Sequence, residues 1–114
     1  MSILAELNTL FNTLLIPVET GVFSGVPPDI YCVLTPLTDT LTLFGDNTPG
    51  AEVQEARISL FCTGNYIDLK QRITNALIIN SFTITERRYV GHENDTNFHA
   101  YAIDVAKYYA IGVD

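Results

Sequence analysis

The chain has no tryptophan, one methionine and two cysteines, and its first 56 residues contain neither lysine nor arginine. Each shortage excludes something. Six cations in 114 residues cannot build a surface that neutralises phosphates, so nucleic-acid reading is not expected. No apolar run is long enough for a membrane helix, and no basic segment precedes the apolar N-terminus as a signal peptide would require. The expected address is therefore a cytoplasm, with no membrane partner. Cys32 and Cys62 lie inside apolar runs and not at ligand spacing, which reads as buried free thiols. The chain has no Gly-x-Ser-x-Gly elbow, no Gly-x-Gly-x-x-Gly turn and no Walker-type Gly-Lys-Ser/Thr, so nucleophile elbows and phosphate cradles drop out.

What is present is apolar: 47% hydrophobic and 17% charged residues, enough for one folded domain over residues 1–114. Charge is unevenly placed. Glu6, Glu19, Asp29, Asp39, Asp46, Glu52 and Glu55 stand in a half without a cation, so the net charge of −7 belongs to that half.

The clearest local signal runs from Ala56 to Ile79. Ala56, Ile58, Leu60 and Cys62 alternate with Arg57, Ser59, Phe61 and Thr63 as in a strand with one apolar face. After Gly64 the period becomes helical: Asn65 caps, Asp68 charges the first turn, and Tyr66, Leu69, Ile73, Ala76 and Leu77 recur along one side. Lys70, Gln71, Arg72, Thr74 and Asn75 are left for water. With a following strand, 56–85 reads as a β-α-β crossover.

Upstream, Ser2 caps an amphipathic helix with Ile3, Leu4, Leu7, Leu10, Phe11, Leu14 and Leu15 on its apolar stripe, ended by Pro17. Its place is on the sheet or partly against a neighbouring subunit. Ile30–Leu37 and Leu41–Phe44 read as strands with Thr38-Asp39-Thr40 as a bend or hairpin turn. Residues 45–50 are all turn formers, so 45–51 is expected to be an exposed loop. Residues 82–111 read as a closing hairpin with a polar tip at 90–97. On its second strand, Tyr101, Ile103 and Val105 share one face, while Phe98, Ala100 and Ala102 share the other. The class is α+β: a mixed, mostly antiparallel sheet with two helices on one face, in the order helix, strands, loop, strand, helix, hairpin.

Among chemically capable residues, His92, Glu93, Asp95 and His99 are the one group that could hold a metal. A solvated hairpin tip without a cysteine argues against it, so neither metal nor cofactor is expected. Glu52 and Glu55 flank an exposed loop, where nothing desolvates them for acid catalysis. Arg87-Arg88 must point to opposite faces of a strand. Asp104 is the ordinary partner, and the acidic half of a neighbouring subunit is the alternative. No enzymatic activity is expected.

Val22-Phe23-Ser24-Gly25-Val26-Pro27-Pro28 followed by Tyr31-Cys32-Val33-Leu34 resembles the passage after the first helix in tail-terminator or tail-completion proteins of long-tailed phages and prophages. The likeness runs from about Leu4 to Ala110, and the Pro-Tyr pair that often opens the family's strand is Ile30-Tyr31 here. The resemblance implies a virion structural protein that acts in the tail and neck and assembles in the bacterial host cytoplasm. It would form a homo-oligomeric ring, commonly a hexamer, that caps the tail tube and joins tail to head. The partners implied are the chain itself, the tail-tube protein and the head connector. Contact residues are expected on the 45–51 loop and its flank (Asp46, Asn47, Glu52, Glu55), at Arg87 and Arg88, and at the hairpin tip (His92, Glu93). The alternatives are another neck protein of the same fold, or a small cytoplasmic ligand-binding domain or enzyme.

Overall fold

A computed structural model describes residues 2–22, 24–44 and 48–110, the side chains of 42–44 and 48–49 excepted. The elements are α1 (Ile3–Thr13), β1 (Val18–Thr20), β2 (Ile30–Phe44), β3 (Thr48–Cys62), α2 (Tyr66–Ile79), β4 (Thr83–Glu93) and β5 (Phe98–Ala110). The strands form one sheet in the order β1-β2-β3-β5-β4, antiparallel except for the β1–β2 pair. This is the mixed, mostly antiparallel α+β sheet expected from the sequence.

Both helices form where their capping residues stand. Ser2 Oγ accepts the Ala5 N–H at 3.1 Å, and Asn65 Oδ1 accepts those of Ile67 and Asp68. Both also end alike. The Ile16 N–H reaches Phe11 O and the Leu15 N–H reaches Asn12 O; in α2 the Phe82 N–H reaches Leu77 O and the Ser81 N–H reaches Ile78 O. These are two Schellman closures, each with a buried apolar residue after the turn, Ile16 or Phe82. The residue in the left-handed position is not glycine in either: Leu15 has φ +61° and Ser81 φ +69°. Helix α1 thus closes before Pro17 is reached.

Ile3, Leu7, Leu10 and Phe11 of α1 and Leu69, Ile73 and Leu77 of α2 share one core with Cys32 and Leu34 of β2, Ala56, Ile58, Leu60 and Cys62 of β3, and Tyr101, Ile103 and Val105 of β5. These strand residues occupy a single face, so the helices lie together on that side. Thr74, expected on the wet side of α2, is buried: its hydroxyl donates to Lys70 O at 2.7 Å and accepts from Arg87 at 3.3 Å. The crossover from β3 through α2 returns parallel to β3, but β5 is inserted between β3 and β4.

Two expectations fail around the middle of the chain. Thr38-Asp39-Thr40 is no turn: β2 is continuous through it, and the irregularity between Pro36 and Asp39 is absorbed as a bulge. The 45–51 loop also shrinks. Residues 48–51 belong to β3, where Thr48, Pro49 and Ala51 pair with Phe44, Leu43 and Thr42; 45–47 lie outside the described residues. The result is a hairpin of two 15-residue strands whose far half projects past the helices. Accordingly the radius of gyration is 15.7 Å and the longest dimension 56 Å, whereas a compact chain of this length has a radius near 13 Å.

Candidate functional site

The face of the sheet opposite the helices has no helix over it among the described residues. Cross-strand register sets Tyr31 beside Phe61 and Phe61 beside Ala100 there. Tyr31 stacks on Phe61 at 4.7 Å between centroids and meets the edge of Phe98 at 5.4 Å. Burial pushes the Tyr31 hydroxyl above its ordinary pKa, and the nearby Glu93 carboxylate adds to this. A shallow hollow of about 310 Å³ lies between this cluster and the Val90–Glu93 end of β4. Next along the face come small residues, Val33, Ser59 and Ala102, and then an ion pair. Arg57 grips Asp104 through two hydrogen bonds, 2.7 Å and 3.0 Å long. That bidentate hold, with the charge of Asp104, raises the Arg57 pKa.

Of the eight residues picked from the sequence, the six that are described do not converge. Asp46 and Asn47 lie outside the described residues. Glu52 and Glu55 sit in β3 and not on a loop flank; Glu52 accepts from Gln54 Nε2 at 3.1 Å, and Glu55 accepts from the Thr38 hydroxyl. An odd spacing puts these two carboxylates on opposite faces, so they are no acid–base pair. Arg87 turns to the helix side and reaches Thr74, whereas Arg88 turns to the bare face and pairs with Glu86 at 3.0 Å. Neither takes Asp104, because Arg57 already holds it. His92 and Glu93 belong to β4 itself, which runs through the expected 90–97 tip and leaves the turn to 94–97.

His92 and His99 do face each other across the hairpin, with ring centroids 4.6 Å apart. Each ring is already engaged: His92 Nε2 bonds Asn97 Oδ1 at 2.8 Å, and His99 Nδ1 bonds the Tyr89 hydroxyl at 2.9 Å. Among the described residues no group of three or more His, Cys, Asp or Glu side chains is placed to hold a metal. Cys32 and Cys62 are free and buried, and burial pushes the Cys32 thiol far above its ordinary value.

Sequence reasoning missed a second polar centre, on the helix side. Lys107 of β5 meets Glu6 Oε2 at 2.9 Å, donates to Asn80 O at 2.9 Å at the end of α2, and lies 4.3 Å over the Phe82 ring. The Tyr109 hydroxyl also donates to Glu6, at 2.7 Å. Burial alone would raise the Glu6 pKa, but the Tyr109 hydrogen bond and the Lys107 ammonium outweigh it and hold the carboxyl below its usual range. Burial and the same carboxylate push Tyr109 up. Around this clamp lies an open groove of about 420 Å³, lined by Ala5, Thr9, Thr13 and Phe82 among others. Beneath α1, Gln54 Oε1 accepts the Ile3 N–H at 2.7 Å, satisfying one of the helix's free donors. These hydrogen-bonded partners lie 27 to 103 residues apart, and no local pattern announces them.

No described helix is long and apolar enough to cross a membrane. No protein-family model matches the chain, and no curated protein sequence matches it significantly.

Proposed function

We propose that this chain is a structural protein of a long-tailed phage or prophage, one subunit of a homo-oligomeric ring, hexameric by analogy, that caps the tail tube and joins tail to head. It carries out no reaction and uses no cofactor. Its partners are other copies of itself, the tail-tube protein and the head connector, in the virion and, during assembly, in the bacterial host cytoplasm. The observation that carries this reading is the division of labour in the sheet: both helices cover one face, the other face is bare with an aromatic cluster, and one hairpin reaches well past the body. The order of elements, a helix, strands, a helix and a closing hairpin, agrees with the order read from the sequence. A chain built this way offers other proteins a broad face, two strand edges and a lever, features that suit assembly.

The groove between α1 and Phe82 favours a second reading, a small-ligand-binding domain. However, the two charged groups in it, Glu6 and Lys107, are committed to each other, so a ligand would find apolar walls and a neutralised pair. Sedimentation velocity and electron microscopy across a salt series test the assembly. A discrete closed oligomer that binds tail-tube subunits supports the proposal; binding to head connectors alone moves the chain to another place in the neck. A monomer at all concentrations that saturates with a small ligand in the groove refutes it.

A further inference from the structure

We infer that the outer edge of β2 beyond Leu34 is a strand-pairing site whose occupant is β4 of a second copy of this chain, so that subunits join edge to edge and head to tail. The inference rests on the ring reading above and specifies its joint.

The free edge comes from the mismatch of two neighbours. Strand β1 covers only Cys32–Leu34, and the Gly21 N–H takes Leu34 O at 2.9 Å. From Thr35 to Phe44, β2 has a described partner on its β3 side alone. At about 3.3 Å per residue this leaves roughly 30 Å of edge with a row of outward backbone donors and acceptors. Soluble proteins blunt such edges with lysine, proline or bulges. Pro36 and the bulge after it guard the near end, but the remainder reads Asp39-Thr40-Leu41-Thr42-Leu43-Phe44, with no lysine, arginine or proline. Thr, Leu and Phe in alternation form a template for another strand, and Leu41 is 57% exposed on it.

The other terminal strand of the sheet is β4, and it is exposed along almost its whole length. Irregularities between Ile84 and Glu86 and between Tyr89 and Gly91 leave one straight run, Glu86-Arg87-Arg88-Tyr89. Between its own irregularities the projecting part of β2, the arm, has a straight run of equal length, Asp39-Thr40-Leu41-Thr42. Charge selects between the two possible occupants. Arm against arm would set Asp39, with Glu52 and Glu55 on the adjacent strand, against the same acids, and would close as a twofold dimer. Arm against β4 sets those acids beside a run with two cations, Arg87 and Arg88, and one acid, Glu86, which Arg88 already holds. It also joins two different surfaces, the kind of contact that propagates round a ring.

The test is disulfide trapping in the full chain. Cys32 and Cys62 are 0% and 2% exposed, so they give little background. Thr40→Cys or Leu41→Cys is combined with Arg87→Cys or Arg88→Cys in one chain, oxidised and resolved on a non-reducing denaturing gel, with sedimentation of the same samples. The expected result is a ladder of covalent multimers from a double variant and none from the singles. Asp39 pairs in register with Gln54 and so lies on the helix side, as Arg87 does; Asp39→Arg and Arg87→Glu should each weaken association roughly tenfold, with recovery when both are present. Oligomers that sediment intact without a ladder from any double variant overturn the joint but leave the ring standing. Covalent dimers from Thr40→Cys alone show arm-to-arm pairing and overturn it too. A chain that stays monomeric at every concentration and salt overturns both the joint and the ring.

Discussion

Leu15→Gly should stabilise the protein, by an amount the structure allows to be worked out. Leu15 is the left-handed residue of the α1 closure, with φ +61° and 88% of its surface exposed. A side chain at that φ brings Cβ against the following carbonyl at a cost of about 1–2 kcal/mol, which glycine avoids. Glycine in turn frees the unfolded chain by about 0.5–1 kcal/mol. Because the leucine is almost wholly in water, its removal forfeits little burial, and the net gain is about 0.5–1 kcal/mol. In a domain of this size that corresponds to a rise of roughly 2–5 °C in Tm. The measurement is urea unfolding with calorimetry at a protein concentration where association does not contribute. Leu15→Ala serves as the control, since it removes the same apolar atoms except Cβ, whose clash is the source of the strain. If glycine proves no more stable than alanine, the strain argument is wrong.

Other outcomes follow from the same geometry. Ser81→Gly should gain in the same direction at the end of α2, by about 0.5 kcal/mol, in the same unfolding assay. Lys107→Met should cost roughly 1–2 kcal/mol, since it removes the ammonium that Glu6 and Asn80 O share while keeping most of the stem; unfolding of variant against parent measures it. Glu6→Gln tests the pH dependence. The folded-state pKa of Glu6 lies below its ordinary value, so its stabilisation is complete above the ordinary carboxylate range and is lost as pH falls through the lowered value. The glutamine variant should therefore be the less stable at pH 7 and approach the parent towards pH 3; a gap unchanged with pH would refute this.

What could be read along the chain was what the chain decides locally. Helix α2 matches its expected boundaries because Asn65, Asp68 and the Leu69, Ile73, Leu77 spacing act within one segment. The 45–51 loop expectation fails because local and distant preferences disagree at the far end of the β2–β3 hairpin. Thr48-Pro49-Gly50 is turn-forming by composition, but pairing with the end of β2 draws it into β3. Thr74 was assigned to water for a related reason: Arg87, the residue that covers it, comes from a strand whose place beside β5 no local pattern shows. Of the candidate site, residue types were legible and their grouping was not. Arg87 and Arg88 were singled out correctly as facing opposite ways, but Asp104 belongs to Arg57, its register partner on β3.

That Arg57–Asp104 pair can report whether the bare face is covered in the assembly. Asp104 is 9% exposed, but Arg57 keeps a third of its side chain in water, so the pair stands between surface bridges worth under about 1 kcal/mol and buried ones whose disruption costs about 3–5. Asp104→Ala should then cost about 1–2 kcal/mol in the monomer. A double-mutant cycle with Arg57→Met isolates the coupling, and it can be measured both in dilute monomer and in the assembled state. If subunits join through strand edges, the face between them stays wet and the coupling is the same in both states. If instead a neighbour lies flat across Tyr31, Phe61 and Ala102, water leaves the pair and the coupling grows several-fold. A coupling that rises on assembly would therefore count against edge-to-edge joining even where cross-links form, because one joint cannot both run along the rim of the sheet and dry its centre.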